Sequence, residues 1–119
     1  MVRLMLAAGA AMLVATPAAA MDVATFLAKA NALKAKGPMA LFSSDLKLLR
    51  AEGQAAGQIS RAENARAKAA GKPLYCNPPG TTLGQNEVLD GLNRIPAAER
   101  KMSLKDGLIR VARAKWPCR

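Results

Sequence analysis

The sequence predicts an all-α fold: a small bundle of about four helices, the second of them long, closed by one disulfide. Three observations predict it. Apolar residues recur at three- and four-residue spacing in four separate stretches, and no stretch shows the period of two that a half-buried strand requires. Glycine or proline stands between the stretches, at Gly37-Pro38, Gly71-Lys72-Pro73 and Pro96. The aromatic side chains are Phe26, Phe42, Tyr75 and Trp116 alone, so the core rests on Leu, Val, Ile, Met and Ala, which suits close-packed helices.

Residues 1–20 read as an export signal. Arg3 supplies a positive start, Leu4 to Val14 form an uninterrupted apolar run, and Ala18-Ala19-Ala20 fit a small-residue cleavage site. The run is well short of the roughly 20 residues that span a bilayer. The expectation is a periplasmic or secreted protein with no membrane span in its mature form, residues 21–119. That is enough chain for one modest domain. Loss of Arg3 with the leader leaves +9 of the formal +10 charge.

Asp22 is placed as an N-cap, and Val23, Phe26, Leu27, Ala30 and Leu33 form one helical face over 23–36. Gly37-Pro38 ends that helix with a C-cap glycine and a residue suited to start the next. No proline interrupts 38–70, which predicts one long helix. Met39, Phe42, Leu46 and Leu49 continue as Gly53, Ala56 and Ser60, a stripe that shrinks from large to small. The large end is expected to bury core and the small end to admit the backbone of another helix. From Arg61 onward the segment reads as a solvated, charged helix end.

A pinned irregular loop follows, since Pro78-Pro79-Gly80 fits neither helix nor central strand. A third helix is predicted over 85–94, with Val88, Leu89, Leu92 and Ile95 inward. After Pro96 and a polar connection, Ser103-Leu104-Lys105-Asp106 resembles a capping box that opens a fourth helix over 104–115. Leu104, Leu108, Val111 and Ala112 form its apolar stripe.

An exported chain whose cysteines are Cys76 and Cys118 is most simply read as holding a Cys76–Cys118 disulfide, with a pair of free thiols as the alternative. Zinc is disfavoured, because two cysteines without histidine fall short of four ligands. Histidine is absent altogether, which removes the commonest general base and the usual partner of a serine or cysteine nucleophile. The eight carboxylates are scattered among basic neighbours or at helix starts. No glycine-rich phosphate loop occurs. The chain is read as no enzyme, with no cofactor and no metal. Basic residues spread over all four helices without aromatic interleaving argue against nucleic acid as the partner.

The last third carries one further signal. Cys76 is followed by Pro78, an amphipathic helix around Val88-Leu89 and Leu92, Pro96, a second helix with Leu108 and Val111, and a terminal Trp116-Pro117-Cys118. This pattern resembles the Rap/Tai family of immunity proteins associated with type VI secretion, small exported helical proteins whose chains often finish in aromatic-Pro-Cys. The resemblance covers 76–118; residues 21–75 match only as helices of plausible length, and lack the further cysteines that many members carry there. It implies a periplasmic, often homodimeric protein that binds and blocks a peptidoglycan-cleaving amidase. On exposure and rigidity, the expected contacts lie in the loop 77–84, with Asn77, Pro78 and Pro79, and in the connection 97–101, with Arg100 and Lys101. Two other readings stand beside it: a periplasmic stress or chaperone-like protein, and a binder of anionic envelope polymers.

Overall fold

Asp22 begins the first helix as its residue type requires. In the computed structural model, which describes residues 20–119, its Oδ1 accepts the backbone N–H of Thr25 at 2.7 Å and caps α1, Val23–Lys36. The predicted leader, apart from Ala20, lies outside the described residues. Four α-helices follow in order: α1, α2 (Ser44–Ala69), α3 (Gln85–Asn93) and α4 (Leu104–Lys115). Among the described residues there is no strand, only an isolated antiparallel bridge between Asp22 and Ser103.

α1 buries the five residues of its predicted face and stops at Gly37, whose φ of +58° is a backbone state that glycine alone adopts readily. The long helix does not start where the absence of proline suggested. Gly37–Phe42 is a 3-10 segment, and Ser43 interrupts it in an extended conformation, its Oγ accepting from the N–H of Asp45 as the cap of α2. This break shifts the helical phase. Leu49, Ala56 and Ser60 are buried as expected, whereas Met39 and Phe42 point into solvent. The expected large end of the stripe is therefore split between two elements facing different ways.

α4 is the central element, packed against α1, α2 and α3. Leu104 and Leu92 are its most completely covered contacts, and Val23 from α1 completes that centre. Ser103 caps α4 by accepting from the N–H of Asp106, but only this half of the capping box forms, since the Asp106 carboxylate pairs with Lys105 at 2.7 Å. The starts of α1 and α4 are laced together: Val23 N–H donates to the Met102 carbonyl and Leu104 N–H to that of Met21.

Close helix approach occurs at glycines that the sequence did not single out. A Cβ on Gly107 of α4 would stand 2.5 Å from Val23 Cγ2 and 3.0 Å from Leu92 Cδ2; one on Gly91 of α3 would stand 2.5 Å from Val111 Cγ1. Gly107→Ala is expected to cost about 1–2 kcal/mol net, overpacking outweighing the helix-propensity gain of alanine. Urea unfolding should show the Val23→Ala/Gly107→Ala pair to be less than additive, since the first substitution removes the nearest clash.

The disulfide joins Cys76 and Cys118, with a Cα–Cα distance of 5.1 Å, and no cysteine is free. It ties the segment after α2 to the residues after α4. Beside it, the Cys76 N–H donates to the Trp116 carbonyl at 2.9 Å.

Candidate functional site

The stripe of small residues on α2 was expected to meet another helix. Ala56 and Ser60 are buried and α2 packs on α4, but Gly53, and Gly57 beside it, face open space. A Cβ on Gly53 would find no atom within 4 Å, and one on Gly57 only the guanidinium of Arg61. The missing side chains leave a cleft of about 790 Å³, walled by all four helices and by the loop 77–83. This is within the size range of small-ligand pockets, roughly 300–1,000 Å³. Phe26, Leu33, Leu49, Val88, Leu89 and Leu108 give it an apolar floor.

Tyr75 forms one end. Its ring packs with Ile109 and Ala112, its centroid 6.5 Å from that of Trp116, and its hydroxyl lies 3.4 Å from Ser60 Oγ. Asn64 holds Tyr75 in place. Its Oδ1 accepts from the N–H groups of Leu74 and Tyr75 at 2.8 and 3.2 Å, and its Nδ2 donates to the Tyr75 carbonyl at 3.1 Å. The segment read as a wholly solvated helix end thus contains the clamp that docks the post-α2 chain. Glu63 is used as well, accepting from Lys105. Asn64→Ala should cost about 2 kcal/mol in thermal or urea unfolding, because one side chain satisfies three backbone groups of a half-buried segment. Asn64→Asp should recover part of that, keeping the acceptor for two of them.

The charge around the cleft is one-sided. Lys34, Arg50 and Arg61 line it, and no aspartate or glutamate does. None of the three has an ion-pair partner among the described residues. Elsewhere five of the eight acids are ion-paired: Asp45 with Lys29, Glu63 and Asp106 with Lys105, Glu99 with Arg110, Glu87 with Lys115. Lys115 also lies over the Trp116 ring.

The expected contact residues fall at two separate places. Asn77 lines the cleft and donates through Nδ2 to the Thr81 carbonyl, while Pro78 and Pro79 are exposed on the loop beside it. Arg100 and Lys101 lie near the start of α4, whereas Cys76 and Asn77 lie by its end, a helix length of about 18 Å away. Arg100 is employed internally: Nε donates to the Ile95 carbonyl and Nη2 to that of Asn93, closing the end of α3. Lys101 is exposed. The cleft itself, assembled from residues far apart in sequence, was not foreseen.

No group of acidic, cysteine or histidine side chains that could hold a metal occurs among the described residues. No helix among them is long and apolar enough to cross a membrane. Two carboxyls depart from ordinary behaviour. The Thr25 side chain and backbone N–H hold Asp22 below the usual carboxylate value, and the Lys105 ammonium does the same for Asp106 against the opposing effect of burial. Lys105 is raised in turn, chiefly by Asp106 and then by Glu63. A depressed carboxyl contributes stability above its unfolded pKa, and this is lost as pH falls through the folded value. Stability should therefore decline below about pH 4, and Asp106→Asn should flatten part of that decline in melting temperature measured against pH. No family model, curated protein or solved structure matches the chain.

Proposed function

We propose that the protein is an exported, non-catalytic binding module of the immunity type, which holds a segment of a peptidoglycan amidase in the cleft and so blocks that enzyme. The observation that carries the reading is the cleft: concave, apolar-floored, rimmed by three unpaired cations and free of carboxylates. Such a surface fits an apolar segment flanked by acidic residues, with specificity set by the charges and affinity by the buried anchors. The loop 77–84, singled out by its exposure and rigidity, supplies one wall. The lining supports no hydrolytic chemistry of its own, since the Ser60–Tyr75 hydroxyl pair has neither a carboxylate nor a histidine beside it.

The test is inhibition. The purified protein should bind an amidase encoded beside it and stop its hydrolysis of peptidoglycan at stoichiometric ratio. Gly53→Leu should abolish this while leaving the melting temperature unchanged or higher, because the new side chain enters open space and replaces a helical glycine. An amidase that is neither bound nor inhibited, or a Gly53→Leu protein that inhibits as well as wild type, would sink the proposal.

A further inference from the structure

The apex between α1 and α2 is an apolar surface that the fold leaves uncovered. Met39 is 68 %, Leu41 70 % and Phe42 85 % exposed. The local structure dictates this: the positive φ of Gly37 turns the chain out of α1, and Ser43 restarts the helix in a new phase. Between them only Ala40 packs inward against the core. The three large side chains on this 3-10 segment do not bury one another.

Cations surround this tip. Lys34 and Lys36 stand on the last turn of α1, and Lys47 and Arg50, one turn apart, on the first turns of α2. All four are exposed, and none has an ion-pair partner among the described residues. Of the nearby acids, Asp45 is engaged by Lys29 and Glu52 is half-buried.

We propose that this apex attaches the protein to an anionic lipid surface, Met39, Leu41 and Phe42 entering the interfacial layer while Lys34, Lys36, Lys47 and Arg50 meet lipid phosphates. Charge and shape together select this occupant. A second copy is disfavoured, because a two-fold contact through the apex would set four cations against four in a protein already strongly positive. A partner's helix would find its complement in a concave surface, whereas Met39, Leu41 and Phe42 stand 68–85 % exposed. A bilayer supplies an apolar interior and an anionic layer in the order that the tip and its collar present. No helix among the described residues could cross it, so the attachment is peripheral. One weak apolar anchor holds a protein only marginally, and the basic collar is the second signal that makes attachment stable.

The collar shares Lys34 and Arg50 with the rim of the cleft, whereas Met39, Leu41, Phe42, Lys36 and Lys47 lie outside its lining and separate the two sites. Protein recovered from the exporting host, with its first residue read by mass spectrometry, would be sedimented with vesicles of phosphatidylcholine alone or mixed with phosphatidylglycerol. Binding is expected only to the mixed vesicles, weakening as salt is raised. Leu41→Asp/Phe42→Asp should lower it by about tenfold or more. Lys36→Gln/Lys47→Gln should lower it about 25-fold, at about fivefold per cation. All four positions are exposed, so melting temperatures should match wild type and amidase binding should persist. Absence of binding, equal binding to both vesicles, or variants that bind as wild type would overturn the proposal. So would apex variants that keep the vesicles and lose the amidase, since the apex would then be a protein interface.

Discussion

Reducing the Cys76–Cys118 bond, or replacing both cysteines by serine, should cost about 4 kcal/mol of unfolding free energy. The bond closes a loop with a sequence separation of 42, and the chain-entropy model assigns that loop roughly this value. For a domain of this size the melting temperature should fall by about 15–30 °C. Differential scanning calorimetry with and without reductant reads it directly. The expected loss is large because it approaches the lower end of the stability of whole domains, about 5–15 kcal/mol. Both sulfurs are near the surface, so reductant reaches them in the folded state. A shift of only a few degrees would mean that the Cys76 N–H to Trp116 carbonyl bond and the Asn64 clamp hold this end without covalent help.

Leu92→Ala should be the most damaging of the simple core truncations, at about 3 kcal/mol, within the range measured for buried leucines. Leu92 has no exposure and sits against Gly107 at the meeting of α1, α3 and α4. α3 has nine residues, too few to persist alone, so the burial of Leu89 and Leu92 is what keeps it helical. Truncation should thus melt a whole element. The matched control is Leu41→Ala, which should change urea stability by less than about 0.5 kcal/mol, since that side chain is 70 % exposed. The same residue type, 51 positions apart, would then separate core from contact surface.

The helices were legible where a chemical signal marked both ends. Asp22 and Gly37 bracket α1, Ser103 and Trp116 bracket α4, and the observed limits match those expected. α3 ends one residue short of the expected limit, its Arg94 serving as C-cap. The disulfide was legible because only one pairing exists. The start of α2 was not, because the absence of proline over 39–70 hid the cap signal in Ser43-Ser44-Asp45, whose role depends on a preceding 3-10 turn. A stripe drawn through Met39, Phe42, Leu46 and Leu49 assumes an unbroken 3.6-residue period, and one extended residue is enough to turn two of the four outward.

The cleft escaped for a different reason. Gly53 and Gly57 have the same spacing whether they admit a helix or leave a hollow, and which occurs depends on where α1 and α3 come to lie. Gly91 and Gly107 are the reverse case, glycines in short helices whose need for hydrogen is set by Val111 and Val23 on other elements. Asn64 carried one faint signal, an amide among charged residues beyond which the chain turns at Gly71, but its partners at 74–75 come from tertiary docking. The expected contact positions divide along the same line. Asn77 joins the cleft because the disulfide anchors its neighbour, whereas Arg100 is taken up by carbonyls at the end of α3.

The lacing of Val23 and Leu104 to Met102 and Met21 also governs when the domain can form. The first described helix is tied at its start to residues 100–104, and the centre of the core belongs to α4, the last of the described helices in chain order. Until α4 has emerged, α1 and α2 have only each other to pack on and Cys76 has no thiol to meet. A growing or threading chain therefore lacks its centre until residues 104–115 are present, and the core closes late.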